Sequence, residues 1–266
     1  MSFDAPAYNV EFKGDLLYIE AIEHSSCETA GPSLKILAIH RVLVAGLLAL
    51  FMVTAQAKEL LPGALVPFSS SSGLALLKRD ATVTTLKLLE HFTTQQNGTY
   101  CGIASAVIVL NAKHKTPPAD PRYAPYTYFT QESFFTDEVQ AIITPEEVAQ
   151  RGIDLNQLTQ AMQTYGLKAQ SYFSDDLTEA TFKEILTTAL SKQHFVIVNF
   201  LRTELRQKGR GHHSPIAAYD EQTDRFLILD VARFKYGSYW VKSHDLWRAV
   251  NTVDQSAYRG FIVITS

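Results

Sequence analysis

Gln95-Gln96-Asn97-Gly98-Thr99-Tyr100-Cys101-Gly102-Ile103-Ala104-Ser105 is a polar, glycine-punctuated stretch that runs into an apolar one at a lone cysteine. From Cys101 to Ala112 the residues are mostly small or aliphatic with no breaker after Gly102, which predicts a buried helix with Cys101 in its first turn. At a helix start, unpaired backbone N–H groups and the positive end of the dipole favour a thiolate, and the thiolate is the nucleophilic form. Gln95 lies six residues upstream, near enough in a folded-back loop for its amide to hold the oxygen of a tetrahedral acyl intermediate. A cysteine on an apolar helix is nevertheless more often packing than chemistry, so its partners decide the reading.

Two partners stand far along the chain, as a base that is near in space rather than in sequence requires. Gly209-Arg210-Gly211-His212-His213-Ser214-Pro215-Ile216 is a glycine-rich turn that delivers a histidine to the start of a predicted strand. Asp230 follows His212 by eighteen residues, at the end of Arg225-Phe226-Leu227-Ile228-Leu229. Two adjacent strands joined by a turn around Asp220 to Asp224 would bring His212 and Asp230 to the same end of a hairpin. Cys, His and Asp then have the order and roles of a papain-like acyl-transfer site: nucleophile, general acid and base, and orienting carboxylate. Neighbours on an extended segment face opposite ways, so only one of His212 and His213 is expected to face the cleft.

These strings also resemble the phytochelatin synthase family. The resemblance rests on Gln95 to Ser105 with Val109-Leu110-Asn111-Ala112, on Gly211 to Ile216, and on Leu227-Ile228-Leu229-Asp230-Val231-Ala232-Arg233-Phe234-Lys235-Tyr236. Phe68-Ser69-Ser70 with Gly73, Glu132-Ser133, Asp254-Gln255-Ser256 and Arg259-Gly260-Phe261 extend it over roughly Phe68 to Ser266. It implies a bacterial member consisting of the catalytic domain, without the Cys-rich extension of eukaryotic relatives, and a papain-like two-lobed α+β fold. The implied activity moves the γ-glutamylcysteinyl group of glutathione to water or to a second glutathione, with release of glycine, and the missing extension favours hydrolysis.

The implied catalytic set is Cys101, His212, Asp230 and Gln95, with His213 standing where many relatives carry an aromatic. Gly102, Arg233, Tyr236, Asp254 and Arg259 are the implied substrate-binding residues, the last two as an acid and base pair for the α-amino and α-carboxylate of a γ-glutamyl group. The Asp254-to-Arg259 segment is about two residues shorter than in plant-like relatives, a change of loop length that a fold tolerates. Glu132 has a substrate-contact reading beside the commoner one of a surface carboxylate.

The 266 residues are 46% hydrophobic and 19% charged, a globular composition, and a net charge of −3 offers no argument for nucleic acid. No metal cage such as CxxC or HExxH is present, so no cofactor is expected, and heavy-metal ions enter only as glutathione thiolates. Glutathione is the expected small-molecule partner, and a homodimer is compatible with these residues. The first 34 residues read as polar and unpatterned. Lys35, His40 and Arg41 then precede the apolar run Val42 to Val53, and Ala55-Gln56-Ala57 follows as a small-x-small site. That is the layout of a signal peptide over 35–57 with export, to the periplasm, of a 58–266 catalytic domain; an uncleaved membrane anchor is the alternative, although the run is short of the ~20 residues a span needs. Leu34 is a candidate alternative start. Cleavage would leave Cys101 as the single thiol of the exported chain.

Helical pieces are expected between Phe68 and Phe92, from Thr144, after Asp154, and from Asp175 or Asp176 to Leu190. Strands are expected at His194 to Phe200, Ser214 to Tyr219, Arg225 to Val231, Tyr239 to Val241 and Gly260 to Thr265. Two other functions fit parts of the pattern: a papain-like peptidase acting on peptide leaders, and a non-catalytic binder of γ-glutamyl peptides or their metal thiolates.

Overall fold

The computed structural model describes residues 8–13, 16–21, 58–254 and 257–265. The chain divides into two compact units, Met1–Gln56 and Ala57–Ser266. In the first, strands β1 (Tyr8–Lys13) and β2 (Leu16–Ala21) pair antiparallel, Tyr8 opposite Ala21 and Lys13 opposite Leu16. This hairpin corrects the reading of the first 34 residues as unpatterned: Tyr8, Val10 and Phe12 alternate with polar residues at the strand period. The signal-peptide stretch 35–57 and Cys27 lie outside the described residues.

The second unit opens with β3 (Val66–Pro67), α1 (Ser71–Asp80) and α2 (Val83–Glu90). Next comes α3 (Cys101–Ala112), whose twelve residues are all buried, as its unbroken apolar run predicts. Then follow α4 (Asp137–Gln140), α5 (Pro145–Arg151) and α6 (Leu155–Thr164). The start of α5 carries the expected signals: Thr144 accepts from the backbone of Glu147, Glu147 accepts from Thr144, and Pro145 occupies the first turn. Asp154 and Gln157 make the same box for α6, and Gly166, at φ +69°, takes the left-handed conformation just past its end.

From β4 (Lys168–Phe173) onward the chain alternates: a 3-10 turn at Ser174–Asp176, α7 (Glu179–Ser191) capped by Thr178, β5 (Phe195–Leu201), β6 (Gly211–Asp220), β7 (Arg225–Ile228), β8 (Tyr239–Lys242) and α8 (Ser243–Val250). The short pair β9 (Val253–Asp254) and β10 (Ala257–Tyr258) precedes β11 (Gly260–Thr265). Seven strands form one antiparallel sheet in the order β3-β8-β7-β6-β5-β11-β4. Strand β4 and helix α8 were not expected, and the helix placed from Asp175 or Asp176 starts later, at Glu179.

Period-two alternation gives the sheet two apolar faces. Phe195, Ile197, Ala217, Leu227, Leu229 and Ile262 share a core with α3 and α6. Val196, Val198, Ile216, Phe226, Val241 and Phe261 share the other with α7 and α8. The class is α+β with an antiparallel sheet, the nucleophile helix lying on one face and the base and carboxylate coming from the strands.

Candidate active site

Cys101 is the first residue of α3, with its side chain buried. The loop before it folds back: the Gln95 N–H donates to Val231 O at 2.9 Å, which ties the segment upstream of the thiol to the strand end that carries Asp230. Gly102 lets the helix start pack closely against the segment that leads into α6. An added Cβ there would lie 2.4 Å from Ile153 Cγ2 and 3.7 Å from His213 Nδ1. Glycine at this position thus has a packing reason beside its expected part in binding substrate.

Strand β6 delivers both histidines. His212 Nε2 lies 2.9 Å from Asp230 Oδ1 and 3.0 Å from Ser214 Oγ, two residues along on the same side of the strand. The Phe200 ring meets the imidazole edge-on at 5.5 Å between centroids. His213, on the opposite side, places Nδ1 3.9 Å from Cys101 Sγ. Both histidines at the start of β6 thus bear on the thiol, His213 at this distance and His212 through its charge and hydrogen bonding.

Asp230 is fully buried and held by more than the histidine. Arg202 donates from Nη1 to Oδ2 at 2.9 Å and from Nη2 to Oδ1 at 2.8 Å, and the Ala232 N–H donates to Oδ1 at 3.0 Å. Burial alone would raise this carboxyl, but His212 and Arg202 hold it far below the usual carboxylate range. Burial disfavours the His212 cation, and Asp230 outweighs it, so the imidazole is more basic than an exposed one. For Cys101 burial pushes the thiol up, while the hydrogen bonds and charge of His212 and His213 bring it well below the ordinary thiol value. The site therefore favours a thiolate–imidazolium pair.

Arg202 was missed by sequence reasoning. It sits in a 3-10 turn, Arg202–Leu205, right after β5, donates also to Gln207 Oε1 at 2.7 Å, and lies over the Tyr236 ring at 5.2 Å. The run Arg202, Arg206, Lys208, Arg210 offers four cations with no spacing that singles one out. Tyr236, expected at the pocket wall, is buried beneath Arg202, and its hydroxyl accepts the Lys208 N–H at 2.8 Å. Arg233, implied at the substrate, is exposed and stacks on Phe92 at 5.1 Å.

Gln95 is buried, its side-chain N–H groups donating to Asn97 O and its Oε1 without a partner among the described residues. Asp254 and Arg259 pair at 2.9 Å, Arg259 buried and Asp254 partly exposed. They stand against Gly211: a Cβ there would lie 2.9 Å from Arg259 Nη2 and 3.5 Å from Asp254 Oδ2. Asp254 also lines a cavity of about 250 Å³ with Arg151, Ile153, Asn156, Phe173 and Tyr258. Glu132 pairs with Arg122 at 3.1 Å and accepts from Gln96. Among the described residues, no group of three or more His, Cys, Asp or Glu side chains is placed to hold a metal ion.

A thiolate at a helix start, flanked by imidazole and backed by a buried carboxylate, defines the thiol acyl-transfer class of site. Residues 56–261 match the phytochelatin synthase family, and the chain belongs to it. It is 33% identical over 207 residues to glutathione gamma-glutamylcysteinyltransferase 1 of Triticum aestivum, covering 75% of this chain and 40% of that one. The Arabidopsis thaliana protein of the same name is 31% identical over 207 residues, 75% of this chain and 41% of the relative. A Schizosaccharomyces pombe glutathione gamma-glutamylcysteinyltransferase is 25% identical over 214 residues, 78% and 50%. The chain thus spans two fifths to half the length of these relatives. A fragment of Prevotella intermedia prointerpain A superposes over 97% of this chain and 98% of its own at a TM-score of 0.40 and 13% identity, a likeness that carries no argument.

Proposed function

We propose that this protein cleaves glutathione at Cys101, releasing glycine and passing the γ-glutamylcysteinyl group to water or to the amine of a second glutathione. The observation that carries the reading is the Cys101, His212 and Asp230 constellation in a chain of this family. The thiolate attacks the cysteinyl carbonyl of glutathione, and the His212 imidazolium gives its proton to the departing glycine amine. Asp230, clamped by Arg202, keeps the imidazole in one orientation throughout. The Cys101 backbone N–H, at the unpaired end of α3, is a donor for the oxyanion, and Gln95 becomes a second once its amide turns from Asn97. In the second half-reaction His212 takes a proton from water or amine and the thioester is resolved. The Asp254–Arg259 pair, next to the catalytic histidine, has the charges to receive the α-amino and α-carboxylate of the γ-glutamyl end. Heavy metals enter this scheme as glutathione thiolates, as substrate and not as cofactor.

The test is the intact mass of the protein after brief incubation with glutathione, with free glycine assayed beside Cys101→Ser and His212→Ala. A γ-glutamylcysteinyl adduct on Cys101 and glycine release in the parent alone support the reading. Turnover of ordinary peptides with no glycine from glutathione would favour the peptidase, and binding of glutathione that survives Cys101→Ser without turnover in the parent would favour the binder. Export belongs to the same proposal, on the strength of the 35–57 pattern. A mature N-terminus at Lys58 supports it, and peptides from Ser2 to Glu28 in the mature protein would sink it.

A further inference from the structure

His212 supplies the acid and base of the proposed reaction, and yet a second imidazole lies against the sulfur. His213 Nδ1 is 3.9 Å from Cys101 Sγ, within reach for a hydrogen bond to sulfur. The ring is buried, and its other nitrogen, Nε2, has no partner among the described residues. A buried imidazole with one nitrogen idle is costly as mere filling, since an aromatic hydrocarbon would occupy the same place without desolvating a polar atom. Its hydrogen-bonding capacity is spent on the sulfur. Nor is the approach a loose one: Gly102 has no side chain, and a Cβ there would already stand 3.7 Å from Nδ1.

We propose that His213 is a second catalytic group on Cys101, donating an N–H from Nδ1 to the thiolate and stabilising it alongside His212. The thiolate then has two donors before attack and again when it departs from the acyl-enzyme, while the proton that reaches glycine still comes from His212. The charged groups around this pair are His212, Asp230 and Arg202, with Asp254 and Arg259 against Gly211. Beside His213, the atoms nearest to Gly102 belong to Ile153 and Leu158, which carry no charge.

The inference rests on Cys101 as the nucleophile of the proposed reaction, but its test needs no substrate. The rate of Cys101 alkylation by iodoacetamide is followed against pH for the whole protein, the other thiol, Cys27, being set apart by peptide mass. His213→Phe fills the site without a donor, whereas His213→Asn puts an amide N–H near the place of Nδ1. Loss of the donor is expected to raise the midpoint by about one unit, a tenfold change in the ionisation equilibrium. The alkaline limiting rate should rise about threefold, because a thiolate of higher pKa is the stronger nucleophile. His213→Asn should restore most of the midpoint, an outcome that a packing role would not produce. If His213→Phe does not fold, by its circular dichroism melt, His213→Asn against His213→Ala reads the same contrast. An unchanged midpoint in a folded donorless variant overturns the proposal, whether or not glutathione is a substrate.

Discussion

Arg202 shows how much of the site hangs on a residue that reaches the catalytic histidine through Asp230. It meets Asp230 through two parallel hydrogen bonds, with both side chains buried, and Asp230 in turn meets His212. Two oppositely charged groups out of water hold each other in place, and removing one leaves the other uncompensated. Arg202→Met is expected to cost about 3–5 kcal/mol of stability at neutral pH, the range for breaking a buried pair. The sign of its pH dependence follows from Asp230, whose carboxyl is depressed in the fold. Stability from such a group is present above the ordinary carboxylate pKa of about 4 and is lost as pH falls below it. The gap in denaturant stability between parent and Arg202→Met should therefore narrow toward pH 3, and a gap that widens there would rule the ion pair out as its source.

At the scale of elements, the start of α3 meets the segment leading into α6 at a distance that glycine allows. Gly102→Ala drives a methyl to 2.4 Å from Ile153 Cγ2, nearer than packed carbons tolerate. The expected loss is about 1–3 kcal/mol, with slower alkylation of Cys101 as the helix start shifts. Adding Ile153→Ala removes the obstructing methyl, and the double variant should melt above Gly102→Ala alone; strictly additive losses would mean the clash is not the cause. A second element contact joins the end of α1 to the β6–β7 hairpin. Asp220, buried, accepts from Arg79 Nε at 2.9 Å and from the Thr223 N–H at 2.8 Å. Burial and the adjacent Asp220 raise the Asp80 carboxyl to about 6. A carboxyl raised in the fold binds its proton more tightly there than in the unfolded chain, so its contribution is present at low pH and is lost as pH rises from about 4 through 6. Asp80→Asn should accordingly raise the melting temperature at pH 7 and leave it unchanged near pH 4. A gain of equal size at both values would exclude proton linkage.

For the molecule as a whole, the readable parts are those where one local pattern has one meaning. The run from Cys101 to Ala112 admits a helix and little else, and the Thr144 and Asp154 starts carry their own capping partners. Cys101, His212 and Asp230 could be drawn together because strand pairing carries one strand end to another. Strand β4 was missed because Lys168 to Phe173 follows a helix with a half-exposed, mixed pattern, and its pairing with β11 is settled only by the fold. Side-chain direction at Tyr236 and Glu132 was not legible, because sequence does not encode it locally: one lies beneath Arg202 and the other pairs with Arg122.

The same scale carries a last expectation, about where the folding unit begins. Residues from Ala57 onward form one compact unit, the family match starts at residue 56, and both faces of the seven-stranded sheet are covered by helices of that unit. A core on each side of one sheet, in a chain of about 200 residues, buries enough apolar surface to fold without help. Residues 57–266 expressed alone should therefore melt in one cooperative transition at the temperature of the full chain, and alkylate at Cys101 with the same pH profile. The two measurements separate the layers of the claim. A lower melting temperature with an unchanged profile would assign the first 56 residues a share of the stability but none in the site. A shifted profile at an unchanged melting temperature would overturn the expectation that residues 57–266 suffice for the thiol's chemistry.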